Sequence, residues 1–185
     1  MTDLRRDLRI WWNRTDRTAW AVGGIIAGLI AGFSFLMGAI LDKQDERRNR
    51  VQEAHRKNLD CLARNVYFEA RGEPLAGQYA VAEVTLNRQA SRLYPRTICE
   101  VVYQKNWDRL RKRYVGAFSW TEFDSLPEPS GDEWNRAWRV AEAVYYGKTS
   151  PTLQGVLHFH AVYIKPDWAK SKRRVARIGK HVFYR

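Results

Sequence analysis

The stretch NVYFEARGEP, residues 65–74, places a carboxylic acid beside aromatic side chains at the end of an apolar segment. Its centre is Glu69, which follows Tyr67 and Phe68. Burial in an apolar cleft raises the pKa of a carboxyl group, so the group can stay protonated near neutral pH and donate a proton. Cleavage of a glycosidic bond needs such a proton donor on the leaving oxygen. Glu69 is therefore a candidate general acid; a solvated glutamate paired with a neighbouring arginine is the alternative for this stretch alone.

A second carboxylate, Glu73, lies four residues after Glu69 and beyond Gly72, which interrupts the helical pattern. Glu73 could work with Glu69 as one of a pair of carboxylates. It could equally stabilise the N-terminus of the helix that follows, where a negative charge is favourable. Glu73 is a candidate site residue with both roles open.

Two histidines, His158 and His160, alternate within VLHFHAVYI, residues 156–164, which has the pattern of a strand. Side chains two residues apart on a strand point to the same face, so this pair suits either metal binding or the polar wall of a cleft. No third ligand lies nearby in the sequence. We expect no metal and no cofactor, and we assign the pair to hydrogen bonding or packing.

The sequence has two cysteines, Cys61 and Cys99, which form no CxxC pair and no zinc-type cluster with the scattered histidines. If the domain faces an oxidising compartment, a single disulfide is expected. We predict this disulfide, which closes a loop of about 38 residues.

The chain is basic, with a formal net charge of +12. Such a field attracts polyanions, whether nucleic acid, anionic lipid or acidic wall polymer. Two basic runs, RLRKR at 109–113 and KSKRR at 170–174, are either solvated faces or contacts for anionic polymer or lipid headgroups. Because the basic residues are not interleaved with aromatic residues as in single-strand platforms, we predict no nucleic-acid partner.

Residues 19–41 form a run of 23 residues without a charge. At about 1.5 Å per residue, a helix of this length spans a bilayer core of about 30 Å. The apolar region of a cleaved signal peptide is normally about 7–15 residues, and no small-x-small cleavage site follows this run. We predict an uncleaved transmembrane anchor rather than a signal peptide or a buried helix of a soluble fold. Arginine and lysine flank both ends, so the positive-inside rule does not decide the orientation.

Within this run, Gly24, Gly28 and Gly32 recur every four residues, which is a doubled GxxxG pattern. It allows a second helix to approach closely, so a homodimer through this face is one prediction. A glycine-rich anchor without a partner is the alternative. The predicted organisation is an arm at 1–18, the anchor at 19–41, a charged spacer at 42–57 and a globular domain at 58–185.

The globular part mixes helical and strand patterns. Apolar residues recur at helical spacing in some segments and alternate in others. The pattern predicts helices at 58–70, 75–89, 97–104 and 131–146, and strands at 156–164 and 177–185.

The order of these motifs resembles that of the SleB/CwlJ cell-wall hydrolases, the spore-cortex-lytic enzymes and their relatives. The resemblance covers about residues 60–185. Its most specific part is EARGE followed by a helix that contains GQYAVAEVTLNR. The motifs are CLARNVYFEARGEPLAGQYAVAEVTLNR, YPRTICEVVYQ, FSW, LHFHAVYIKPDWA and RIGKHVFYR.

The resemblance implies an α+β fold: a compact lysozyme-like or transglycosylase-like domain, mainly helical with a small β-sheet, here preceded by one transmembrane helix. It implies cleavage of peptidoglycan between N-acetylmuramic acid and N-acetylglucosamine, as a lytic transglycosylase or a muramidase. The first glutamate of EARGE, Glu69, is then the catalytic acid. One acid suffices in a lytic transglycosylase, because the 6-hydroxyl of the sugar attacks the anomeric carbon. The substrate-binding residues implied are Tyr67, Glu73, Gln78, Phe118, Ser119, Trp120, His158 and His160.

Peptidoglycan lies outside the cytoplasmic membrane, so this function implies a topology. We predict a bacterial inner-membrane protein with a cytoplasmic N-terminus and an extracytoplasmic chain from Asp42 onward. A competing hypothesis is a catalytically silent, membrane-anchored wall-binding or scaffold protein on the same fold. The presence of Glu69, Gly72 and the FSW motif argues against it.

Overall fold

The computed structural model of the chain describes Arg9, residues 17–109 and residues 111–185. The chain divides into two compact units, Met1–Gln52 and Glu53–Arg185. The helices described are α1 (Arg17–Ala70), α2 (Leu75–Ala90), α3 (Ile98–Val102) and α4 (Gly131–Tyr145). The strands are β1 (Lys105–Asp108), β2 (Arg113–Gly116), β3 (His158–Ala161), β4 (Arg174–Ile178) and β5 (His181–Tyr184), and 3-10 turns lie at Ser119–Glu122 and Asp167–Ser171.

In the first unit, the residues described from 17 onward belong to α1, and their apolar side chains are exposed. By length and composition this helix can cross a membrane, a property that signal sequences share. A Cβ added at Gly24, Gly28 or Gly32 would meet nothing within 4 Å. Membrane insertion and self-association both stay predictions. Most of the predicted arm at 1–18 lies outside the described residues.

The core of the second unit forms where the end of α1 packs with α2 and α4. Leu62 and Val66 of α1, Ala82 of α2 and Val140 of α4 belong to one apolar cluster. Their spacing puts one stripe of each helix into the core. Full burial of an aliphatic side chain contributes about 1.5–3 kcal/mol relative to exposure, so this stripe stabilises the position of the end of α1.

The predicted helices at 75–89 and 131–146 are confirmed as α2 and α4. The pattern at 97–104 corresponds to the shorter α3, whose first turn has a capping box between Thr97 and Glu100. The pattern at 58–70 is the end of the longer α1.

A three-stranded antiparallel sheet has the order β3-β5-β4, so the strand nearest the C-terminus lies in the middle. The prediction of one strand over 177–185 was wrong. Gly179 adopts a φ of +57°, a conformation that favours glycine, and the chain turns there between β4 and β5. A second element, the β1–β2 hairpin, was not predicted; residues 109–113 had been interpreted only as a basic run.

The predicted disulfide is confirmed: Cys61 on α1 is bonded to Cys99 on α3. It fixes the end of α1 to a second element by a covalent link. Because the loop it closes spans 38 residues, the chain-entropy model gives about 3–4 kcal/mol of stabilisation.

Candidate active site

Glu69 is the penultimate residue of α1 and lines a cavity of about 430 Å³. One carboxylate oxygen, Oε1, is buried and accepts no hydrogen bond from any described residue. Other side chains that line the cavity lie on α2 and on β3, in the segment that follows β2, and in the turn at 167–171. They include Arg88, Phe118, Ser119, His160 and Trp168.

Burial raises the pKa of the Glu69 carboxyl group, and this is the largest influence on it. The charge of Arg88, the hydroxyl and backbone N–H of Ser119 and the backbone N–H of Trp120 act in the opposite direction. These opposing influences do not cancel the effect of burial, so the net pKa is above the ordinary value. The site therefore favours the protonated form of Glu69 more than bulk water does.

Arg88 was missed as a site residue by sequence reasoning, although it closes the quoted motif that ends in TLNR. Its Nε donates to the carbonyl oxygen of Leu157 at 2.8 Å, and its guanidinium lies 5.0 Å from the ring centroid of Phe118. Burial lowers the pKa of Arg88, an effect that the neighbouring Tyr94 and Glu69 oppose. Only the packing of α2 on the sheet reveals that this cation faces Glu69.

Asn65 was also missed, and it holds the FSW segment against α1. Its Nδ2 donates to Thr85 Oγ1 at 3.0 Å, and its Oδ1 accepts from Trp120 Nε1 at 2.9 Å. The ring of Trp120 stacks on Phe68 with centroids 4.7 Å apart. This buried network holds the backbone of Ser119 and Trp120, whose N–H groups lower the pKa of Glu69. Asn65 begins the NVYFEARGEP stretch, but its position in the motif gave no sign of these partners.

Of the predicted substrate-binding residues, Phe118, Ser119 and His160 line the cavity with Glu69. The His160 ring bonds through Nε2 to the Tyr184 hydroxyl at 2.9 Å and through Nδ1 to the Ala161 carbonyl oxygen at 2.9 Å. These bonds orient the ring across the β3–β5 pair.

The other predicted residues lie elsewhere. Tyr67 and Trp120 belong to the apolar core. Gln78 is buried and donates to the Glu73 carbonyl oxygen at 3.2 Å. His158 lines a neighbouring cavity rather than that of Glu69.

Glu73 is turned toward the β4–β5 turn. Its Oε2 accepts from the Lys180 backbone N–H at 2.8 Å and lies 4.0 Å from His181 Nδ1. A Cβ at Gly179 would clash with that oxygen, and the positive φ at this position also favours glycine. The Glu73 carboxylate thus connects the loop after α1 to the sheet. Glu69 is the only aspartate or glutamate among the described residues that line its cavity.

No group of three or more histidine, cysteine, aspartate or glutamate side chains within residues 17–109 and 111–185 is arranged to hold a metal ion.

Fold and site together define a class: a mainly helical α+β domain with one protonatable acid in an aromatic cavity. The sequence model of the cell wall hydrolase family, described as Cell Wall Hydrolase, matches residues 72–184. The chain belongs to the cell wall hydrolase family. Glu69 lies three residues before the matched range.

Curated relatives include spore cortex-lytic enzymes. That of Oceanobacillus iheyensis is 31% identical over 136 residues, which cover 73% of this chain and 44% of the relative. That of Bacillus subtilis is 29% identical over 126 residues, covering 68% of this chain and 37% of the relative. The chain thus spans less than half the length of these two relatives.

Two solved structures share the fold. The catalytic domain of the Bacillus cereus SleB protein has a TM-score of 0.55 and 25% identity, covering 70% of this chain and 91% of that domain. The catalytic domain of the germination-specific lytic transglycosylase SleB from Bacillus anthracis has a TM-score of 0.51 and 26% identity, covering 69% and 93%. These matches confirm the resemblance to the SleB/CwlJ type and the α+β class.

Proposed function

We propose that this chain cleaves the glycan strands of peptidoglycan between N-acetylmuramic acid and N-acetylglucosamine, with Glu69 as the general acid. The observation that carries the proposal is the buried environment of the Glu69 carboxyl group in the cavity. Burial raises its pKa, and one of its oxygens lacks a hydrogen-bond partner among the described residues. Such a group is stable as a neutral acid and available to a substrate oxygen.

In the reaction we propose, Glu69 gives its proton to the glycosidic oxygen as the bond from that oxygen to the anomeric carbon of N-acetylmuramic acid breaks. The 6-hydroxyl oxygen of the same sugar then attacks the anomeric carbon. Its proton returns to the Glu69 carboxylate, and an anhydro sugar is released. The acid is regenerated without a second carboxylate.

The number of carboxylates in the cavity supports this route. Glycosidases that use two carboxylates need both beside the scissile bond. Glu73 is engaged with Lys180, and Glu69 is the only acidic side chain among the described residues lining the cavity. Water could still attack in place of the 6-hydroxyl, so the product distinguishes a transglycosylase from a muramidase.

Mass spectrometry of the products from purified peptidoglycan tests the proposal directly. We expect muropeptides that end in anhydro-muramic acid, which lack one water relative to reducing ends. Reducing muramic ends would identify a muramidase with the same acid. Cleavage of peptide bonds alone, or release of nothing by the folded chain, would contradict the proposal.

We also propose that residues 19–41 anchor the protein in the bacterial cytoplasmic membrane, with residues 1–18 in the cytoplasm and the chain from Asp42 outside. The length and apolar composition of the helix support the anchor, and a wall substrate requires the catalytic domain to lie outside the membrane. A reporter that needs export, such as a phosphatase, should be active when fused after Arg185. Activity of only a cytoplasm-dependent reporter there would contradict this topology.

Self-association through Gly24, Gly28 and Gly32 is a further part of the proposal, and the four-residue spacing of these glycines supports it. Crosslinking in membranes should give a dimer that Gly28→Ile weakens. A monomer at every protein concentration would contradict it.

A further inference from the structure

A second cavity of about 430 Å³ adjoins the Glu69 cavity and shares two of its residues, Arg88 and Ala117. Its other side chains lie on β3, around the start of β1, in the segment that follows α2, and in the segment that precedes β4. They include Tyr94, Gln104, Asn106, His158 and Lys172. Because Arg88 and Ala117 line both cavities, a polymer bound at Glu69 has a second cavity directly beside it.

This second cavity is electropositive. Arg88 and Lys172 are its charged residues, and no aspartate or glutamate appears among the described residues that line it. His158 does not add to the charge, because burial and the nearby charges of Lys172 and Arg88 lower its pKa to about 4. A cavity with two cations and no acid favours an anionic ligand.

A second observation concerns hydrogen bonding. The Oε1 atom of Gln104 is buried and accepts no hydrogen bond from the described chain, while its Nε2 donates to Asn106 Oδ1 at 3.2 Å. Buried acceptors are normally satisfied, so this oxygen is open to a donor from outside the protein, either a water molecule or an N–H group of a ligand. A ligand that carries an N–H group beside its negative charge would match both features of the cavity.

We propose that this second cavity binds a carboxylate of the glycan substrate, with Lys172 and Arg88 as cationic partners and Gln104 as acceptor for a neighbouring amide N–H. The inference rests on the proposed function and adds a specificity to it. N-acetylmuramic acid carries both groups: an acetamido N–H and, where the stem peptide is absent, a free lactyl carboxylate. A stem peptide supplies the same chemistry through its own amides and carboxylates.

Lys172 is the residue to test, because it lines the second cavity and is not among the residues lining the cavity of Glu69. Lys170 is a matched control: it is exposed, pairs with Asp167 at 3.0 Å and is absent from the lining of both cavities. The proteins compared are the full-length wild type, Lys172→Gln, Lys172→Arg and Lys170→Gln, in mild detergent. Equal thermal unfolding of the four establishes that each is folded.

Three glycan substrates distinguish the source of the carboxylate. The first is peptide-free glycan with the free lactyl carboxylate, the second is the same glycan with that carboxylate converted to a neutral amide, and the third retains its stem peptides. For wild type we expect kcat/KM on a charged substrate to exceed that on the amidated one about tenfold, mostly through KM, as for one charge-assisted hydrogen bond. Preference for the first identifies the lactyl group, and preference for the third identifies the stem.

Lys172→Gln should reduce the preference to less than threefold, Lys172→Arg should restore it, and Lys170→Gln should leave it unchanged. High salt should also reduce it. Equal cleavage of all three substrates by wild type, or an equal loss on all three in Lys172→Gln, overturns this inference while the proposed function stands. Failure of the folded wild type to cleave any of the three overturns the proposed function and this inference with it.

Discussion

Glu69 lies in the last turn of α1, and its Oε1 atom is buried and accepts no hydrogen bond from the described residues. Glu73, four residues later, accepts from the Lys180 backbone and ties the loop to the β4–β5 turn. Two glutamates of one motif are thus in different environments. A satisfied carboxylate stabilises the structure, whereas an unsatisfied one with a raised pKa costs stability and stays available to a ligand. The comparison favours a chemical role for Glu69 and a structural role for Glu73.

The largest effect should come from Glu69→Gln. The amide keeps the shape but cannot donate the proton, so wall cleavage should fall by about 100-fold to 10,000-fold. Release of soluble muropeptides per unit of folded protein measures the loss. Glu73→Gln is the control for the comparison. Activity of Glu69→Gln within a factor of two of wild type would exclude the acid role, and an equal loss in both variants would indicate paired carboxylates.

Removal of the disulfide should have the next largest effect. Cys61→Ser with Cys99→Ser frees the helix that carries Glu69 from α3, and the chain-entropy model gives a loss of about 3–4 kcal/mol in the free energy of unfolding. Urea unfolding followed by tryptophan fluorescence measures it. Reduced wild type should behave like the double variant. A difference below about 1 kcal/mol between oxidised and reduced protein would show that packing alone holds this end of α1.

Glu73→Gln should mainly lower stability. Replacing a charge-assisted bond to Lys180 by a neutral one costs about 1 kcal/mol, with activity retained within a few-fold. The control is Glu142→Gln on α4, whose ion pair with Lys148 is exposed and worth about 0.2–1 kcal/mol. Thermal unfolding and muropeptide release are measured on both variants. Unchanged stability with lost activity would place Glu73 in the chemistry and reverse the comparison.

The smallest effect should be a shift in pH dependence. The Ser119 hydroxyl is among the groups that lower the pKa of the Glu69 carboxyl group, so Ser119→Ala should raise that pKa further. Because the acid acts in its protonated form, the alkaline limb of the kcat/KM profile should move to higher pH. Ser130→Ala, at the start of α4 and without a side-chain cap bond, is the control. A shift to lower pH would contradict this account of the Glu69 environment.

The features predicted correctly from the sequence are those that depend on local apolar spacing or on residue type. Apolar spacing located α2 and α4, and two cysteines in a domain expected outside the cytoplasm predicted their pairing. Contacts between residues far apart in the chain were not visible. Trp120 was assigned to the cleft but donates to Asn65 within the core. Arg88 faces Glu69 only because α2 packs where it does, and the β4–β5 turn depends on one glycine.

The position of β5 in the sheet has a consequence for the order in which the molecule is completed. β3 and β4 each pair with β5, so both must wait for the strand that is synthesised last of the three. Until it emerges, His160 lacks its bond to Tyr184. A nascent chain in which β5 is still missing therefore has Glu69 beside an incomplete sheet, and synthesis of β5 is the step that completes this side of the site.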